Sequence, residues 1–373
     1  MLEEHLGYLS DTAKRKRYEQ AIAAAVLPGS AVLDLGCGSG LLGLMALRAG
    51  ADRVHFVDET AILEVARETV TRQGWVDRAR FHRFSSFELE LADQVDVVLC
   101  DHVGYFGFDY GVAALLADSR QRFLKPGGVA IPARLVLKLA GVSSGACYKT
   151  IEGWRDGSVP QEFSWVAGLQ ANVKHGVKLS PEELITGPVD LGSITLGEQL
   201  KDFVSWTAEM TCSRDGDLHG VGGWFDCQLT GDIWMSNSPL ADDRIERSQV
   251  FLGLEHPLKV SVGERIRATV MVRHIDKVIA WVIERPDSGE RYSHSTWNAL
   301  LLDGEQLARG RSDRVATLND RGRARQIVLS YCDGVRTVAE VEAAVLRDHP
   351  GLMPSRDALS AFVMGVLGRD TDG

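Results

Sequence analysis

The stretch that most limits what this chain can become is Ala31-Val-Leu-Asp-Leu-Gly-Cys-Gly-Ser-Gly40. Ala31, Val32, Leu33 and Leu35 form a short buried strand. Gly36, Gly38 and Gly40 alternate after it, and Leu41, Leu42, Leu44, Met45 and Leu47 continue at helical spacing. Strand, glycine turn and helix in that order open a doubly wound α/β sheet, with a ligand crevice at the strand's C-terminal end. Glycine is required there because the turn needs unusual φ and a ligand must come close to the backbone. The spacing is G-x-G-x-G, not the dinucleotide G-x-G-x-x-G. An acidic residue, Asp34, sits inside the strand end. Residues 54–58 read as the second strand, and Asp58 ends it about twenty residues after the glycines, where a carboxylate accepts both hydroxyls of a ribose. The alternatives are an NAD site and a glycine turn that binds nothing.

At 373 residues the chain is long enough for two or three domains of about 150 residues each. The net charge of −10 argues against nonspecific nucleic-acid binding, which needs a basic footprint. Six scattered cysteines without a C-x-x-C pair suggest neither a metal site nor a disulfide framework. With no N-terminal apolar signal and no run of about eighteen apolar residues, a cytoplasmic protein without a membrane segment is expected.

Residues 1–28 read as helical and end at Pro28, and the basic run Lys14-Arg-Lys-Arg17 is either a solvated helix face or part of a site that only a family resemblance can assign. Strand and helix alternate over 29–132, with further strands at 80–84, 95–100 and after Leu124-Lys-Pro-Gly-Gly128. From 133 to 297, period-two runs split by Gly, Asp and Pro turns predict an antiparallel β-barrel or sandwich. From 298 to 373, short strands at 300–302 and 314–318 precede three helices at 321–331, 338–348 and 356–367. Thr337 and Glu340 have the spacing of a capping box.

The glycine turn with Asp34 and Asp58 resembles class I S-adenosylmethionine-dependent methyltransferases. A methyltransferase unit followed by a β-barrel further resembles the protein arginine methyltransferase family, across most of residues 5–297. That family carries M-L-x-D-x-x-R-x-x-x-Y before its cofactor loop. Here Tyr8-Leu9-Ser10-Asp11 leads through Lys14 to Tyr18, so the family's cofactor-pairing arginine falls on Lys14. The resemblance makes Lys14, Asp34, Gly36, Gly38, Gly40, Asp58 and Glu88 the cofactor-binding set, Glu88 or its neighbour lying by the adenine. The family's substrate loop, S-E-W-M-G-Y-x-L-x-x-E, grips a guanidinium with two glutamates, a task that suits paired carboxylates. This chain reads Cys100-Asp-His-Val-Gly-Tyr-Phe-Gly-Phe-Asp-Tyr110. Asp101 takes the first position, Tyr110 the second, and Asp109 falls one residue early.

Asp101, His102, Asp109 and Tyr110 are therefore the catalytic candidates, with His102 either a general base or a satisfied polar residue. Tyr105 and Phe108 form either an aromatic wall around the acceptor or ordinary packing. The family's threonine-histidine-tryptophan loop has become Ile245-Glu246-Arg247, which makes Glu246 and Arg247 substrate-binding candidates. With both substrate signatures altered, methyl transfer is expected and arginine as acceptor is open; histidine, an α-amine and a carboxylate are the other acceptors. Residues 162–194 fall where the family inserts a helical dimerisation arm, so a homodimer is implied.

The C-terminal segment has its own likeness. Leu318-Asn-Asp320 and Ile327-Val-Leu-Ser-Tyr-Cys-Asp-Gly-Val-Arg-Thr-Val-Ala-Glu340 resemble the PqqD-like family, small winged-helix-like domains that recognise leader peptides. Such a domain adds the leader as a strand to a sheet edge, here near 314–318, against the helix near 356–367. The combined expectation is a Rossmann-like domain (1–132), a β-barrel substrate domain (133–297) and a PqqD-like domain (298–373). Its function would be N-methylation of a ribosomally made precursor peptide with S-adenosylmethionine. A protein arginine methyltransferase and a catalytically inactive leader-binding adaptor are the alternatives.

Overall fold

The computed structural model describes residues 2–199, 201–274 and 276–371. The helical N-terminus breaks at Asp11 into α1 (Leu2–Ser10) and α2 (Thr12–Ala25). Asp11 is the N-cap of α2, its Oδ1 accepting from Lys14 N at 2.9 Å. The buried residues of α2 are Lys14, Tyr18, Ala21 and Ile22, which share one helical face. Lys14 is 2 % exposed, so the solvated-face alternative fails at this residue.

The doubly wound unit follows: β1 (Ala31–Leu35), α3 (Leu41–Ala49), β2 (Arg53–Val57), α4 (Leu63–Arg72), β3 (Ala79–His82), β4 (Val95–Cys100), α5 (Val112–Arg122) and β5 (Leu124–Ile131). The sheet is parallel, in the order β3-β2-β1-β4-β5. Strands β1 and β4 are largely buried and, apart from Asp34 and Asp96, apolar, as suits strands covered on both faces. The chain order reverses between β1 and β4, which places a crevice at their C-terminal ends.

Asp34 near the end of β1 is 1 % exposed, and its Oδ2 accepts from Gly43 N at 2.7 Å. Burial raises its carboxyl from 3.8 to about 8. Its stabilising contribution is then fully present below the unfolded carboxyl's pKa near 4, and is lost as pH rises to about 8, because only the unfolded chain ionises in that window. The slope is at most about 1.4 kcal/mol per pH unit. In urea unfolding at pH 6 and pH 8, Asp34→Asn is expected to be less pH-sensitive than the native chain. Parallel curves would show that Asp34 is ionised in the fold.

The barrel continues directly from β5 through β6 (Arg134–Val142), α6 (Gly145–Glu152), α7 (Val166–Gln170), β7 (Lys174–Val177), β8 (Val189–Thr195), β9 (Phe203–Thr211), β10 (Gly216–Thr230), β11 (Ile233–Ser236), β12 (Gln249–Val260), β13 (Arg265–Arg273), β14 (Val278–Arg285) and β15 (Glu290–Ser295). One sheet runs β7-β12-β10-β6-β8 with β11 on β10, and a second runs β15-β14-β13-β9. Trp281 of β14 is fully buried and donates from Nε1 to Gly253 O of β12 at 2.9 Å, joining the two sheets. Residues 162–194 do not form a helical arm. Only α7 is α-helical there, and β7 and β8 pair with β12 and β6 because their backbones complete the larger sheet.

The chain divides after Leu300. The second unit contains α8 (Gly304–Arg309), α9 (Asp320–Leu329), α10 (Val338–Asp348) and α11 (Arg356–Asp370). Val328, Val341, Val345, Leu359, Val363, Val366 and Leu367 make its core. The Thr337–Glu340 capping box forms as expected. The described residues of this unit contain no strand. Leu301 is 76 % and Val315 83 % exposed, so the strands expected at 300–302 and 314–318 have no neighbour to accept their backbone groups. The winged sheet edge implied by the PqqD-like resemblance is therefore missing from the described residues.

Candidate functional site

A cleft of about 320 Å³ opens over the C-terminal ends of β1, β2 and β4. Its floor is the glycine turn. Gly36 and Gly38 have φ of +58° and +53°, where side chains are strained. A Cβ on Gly36 would lie 2.0 Å from His102 Nε2, and one on Gly38 2.7 Å from His5 Cε1. The turn is tied to the end of β2 by Cys37 N donating to Val57 O at 2.9 Å and Gly38 N to Asp58 Oδ2 at 2.9 Å. Asp58 Oδ1 accepts from Thr60 N (2.9 Å) and Thr60 Oγ1 (2.6 Å), so its carboxylate is fixed at the rim.

The other end of the cleft is built around Asp101, just past β4. Lys14 Nζ reaches its Oδ2 at 2.5 Å, and the Tyr18 hydroxyl lies 3.3 Å from its Oδ1. Both partners come from the buried face of α2. Tyr18 is completely buried, and burial pushes its phenol well above 10, so it remains a donor. A carboxylate has about four lone-pair sites, and the Asp101 side chain is 24 % exposed, so acceptor capacity remains toward the cleft. His102, Tyr110 and Arg247 complete this end, with Tyr8 and Leu9 of α1 above it. Burial, then the neighbouring Tyr105, raise the Tyr110 phenol far above 10, so Tyr110 offers a neutral hydroxyl where the resemblance has a second carboxylate.

The structure gathers Lys14, Asp34, Gly36, Gly38, Asp58, Asp101, His102, Tyr110 and Arg247 around one cleft. Gly40 caps the start of α3 at φ +83° and packs toward Ala66. The remaining candidates point elsewhere. Asp109 is 1 % exposed at its side chain, with Oδ2 2.7 Å from Lys174 Nζ and Oδ1 accepting from Phe106 N at 3.0 Å, so it braces the loop from behind. Phe108 is buried against Phe106 and Trp206, which is the ordinary packing alternative. The Tyr105 ring lies tilted against Tyr110, centroids 5.6 Å apart, and backs the cleft wall. Glu246 faces Lys178, while its backbone N donates to Asp11 Oδ2 at 2.8 Å. Glu88 is exposed on a short turn at Ser86–Glu88.

Three residues without an assigned role prove central to positioning. Asp11 joins α2 to the barrel with its second oxygen. Tyr18 holds Asp101. Asn237 is fully buried: its Nδ2 donates to Tyr105 O (2.9 Å) and Ser248 O (2.7 Å), and its Oδ1 accepts from Phe225 N (2.9 Å). Asp11 and Tyr18 carried a signal, a cap residue and a helical apolar stripe. The isolated Ser-Asn-Ser-Pro at 236–239 carried none. Among the described residues no group of three metal-ligating side chains occurs, and no helix is long and apolar enough to cross a membrane.

Residues 32–128 match a family model described as a methyltransferase domain. The chain is 25 % identical to protein arginine N-methyltransferase 6 of Xenopus laevis, over 73 % of this chain and 84 % of that one. It is 28 % identical to a probable protein arginine N-methyltransferase 6 of Arabidopsis thaliana, over 61 % of this chain and about half (54 %) of the relative. The fold is shared with the Trypanosoma brucei PRMT1 enzyme–prozyme heterotetrameric complex with AdoHcy, at a TM-score of 0.70 and 20 % identity, over 79 % of this chain and 98 % of that one.

Proposed function

We propose that this class I S-adenosylmethionine-dependent methyltransferase of the protein arginine methyltransferase type methylates a side-chain nitrogen of a protein substrate, with arginine the first acceptor to test. The observation that carries the reading is Asp101, fixed by Lys14 and Tyr18 yet open to the cleft. The cleft suits the cofactor: a glycine floor held at positive φ, a rim carboxylate at Asp58 for the ribose, and a volume in the range of small-molecule sites. When bound, S-adenosylmethionine supplies a methyl group on a sulfonium for in-line displacement.

The protein's own part is positioning and proton handling. Asp101 accepts from an N–H of the acceptor, directing the nitrogen lone pair into the cleft. It takes up the proton lost on methylation, directly or through water. Lys14 and Tyr18 keep its carboxylate from rotating. Tyr110 adds a neutral oxygen beside it, so a guanidinium would be held by one carboxylate and one phenol. A second copy of the chain is the partner this type of enzyme suggests, and Phe163 (51 % exposed) and Trp165 (61 % exposed) offer apolar surface for it.

The test is tandem mass spectrometry of proteins and peptides containing arginine, lysine or histidine, incubated with the full chain and methyl-deuterated S-adenosylmethionine. Labelled methyl on arginine nitrogen, abolished by Asp58→Ala, is expected. Label only on carboxylate oxygen, or none despite cofactor binding, would overturn the reading. A second reading, a precursor peptide guided by the C-terminal unit, is favoured by that unit having its own core. A chain ending at residue 300 separates the two. It would keep full activity on proteins under the first reading and lose activity on the precursor peptide under the second.

A further inference from the structure

Among the described residues, one cation of the cleft has no ion-pair partner. Lys14 pairs with Asp101 at 2.5 Å. Arg247 is 9 % exposed and makes no ion pair among the described residues. Of the described residues that line the cleft, it alone comes from the barrel. Its guanidinium carbon lies 5.5 Å from the centroid of the Tyr8 ring, and Lys14 Nζ lies 5.0 Å from the same centroid, so two cations lean on one ring. The segment carrying it is held rigidly: Ile245 N donates to Ser236 O, Arg247 N to Ile245 O, and Glu246 N to Asp11.

Among the described residues Arg247 thus faces the cleft with its donors uncommitted, and its planar fork suits a carboxylate. We propose that Arg247 anchors the α-carboxylate of the methionine part of S-adenosylmethionine. The inference rests on reading the cleft as the site of that cofactor. It moves Arg247 from the acceptor side, where the sequence suggested it, to the cofactor side. The barrel then closes the cofactor site with its own charge, while Lys14 of α2 holds Asp101.

Calorimetric titration of the full chain with S-adenosylhomocysteine and with 5′-methylthioadenosine tests this, because the second ligand keeps the adenosine and thioether but lacks the amino-acid carboxylate. In Arg247→Gln, the Kd for S-adenosylhomocysteine should rise about 10- to 100-fold, the loss of a charged hydrogen-bonded pair. Arg247→Lys should recover part of it, and the Kd for 5′-methylthioadenosine, which also verifies folding, should not change. An unchanged Kd for S-adenosylhomocysteine would overturn the assignment and leave Arg247 to the acceptor, as would an equal weakening of both ligands. Failure of the native chain to bind either ligand would instead refute the underlying cofactor reading, and the assignment with it.

Discussion

Asp101→Asn is expected to lower methyl transfer by about 10²- to 10³-fold while changing the Kd for S-adenosylhomocysteine by no more than a few-fold. The amide keeps the shape and can still accept one hydrogen bond, but it loses the charge that orients an acceptor N–H and the capacity to take its proton, a contribution of that order in other acid–base sites. Stability should fall as well, because the Lys14 side chain is only 3 % exposed and loses its counter-ion. Breaking a buried pair from one side costs roughly 3–5 kcal/mol, whereas replacing both partners with uncharged groups is often neutral. Lys14→Met combined with Asp101→Asn should therefore recover stability in urea unfolding without recovering transfer. Recovery of both would assign Asp101 a purely structural role.

Asn237→Ala should be the most damaging change that does not touch the cleft. It leaves Phe225 N, Tyr105 O and Ser248 O without their partner, and each unsatisfied buried group costs about 1–3 kcal/mol. A loss of about 3 kcal/mol or more in urea unfolding is expected. The Tyr105 carbonyl belongs to the loop that starts at Asp101 and ends at Tyr110, so transfer should drop at least about tenfold at temperatures where the variant is folded, since small displacements of positioning groups are expensive. The cofactor end makes no contact with Asn237, so the Kd for S-adenosylhomocysteine should hold. A stability loss with normal transfer would show that the barrel does not position this loop.

What could be read in the sequence was whatever local chemistry determines. The glycine turn needs φ values that favour glycine, and β1 and β4 are apolar except for Asp34 and Asp96, so the sheet and the crevice at its C-terminal end were legible from spacing, whereas the cofactor residues were implied only by the family resemblance. Lys14 was legible too, since it lies four residues before Tyr18 and eight before Ile22 on a single helical stripe, although its place in a basic run masked it. The acceptor end was harder because it is assembled from distant segments. Asp109 is one residue from Tyr110, yet Lys174, 65 residues away, draws it out of the cleft. Asn237 bonds Tyr105 across 132 residues, and no local pattern encodes that. The strands expected at 300–302 and 314–318 failed for a related reason: an extended apolar run becomes a strand only when a neighbour exists. Residues 162–194 went the other way, drawn into the larger sheet by pairing with β12 and β6.

The most direct measurement is diffraction from crystals of the full chain grown with S-adenosylhomocysteine. The ligand is expected in the cleft between the glycine turn and α1, with its ribose hydroxyls on Asp58 and its sulfur facing Asp101. Ligand bound elsewhere, or bound with its sulfur turned away from Asp101, would contradict this expectation.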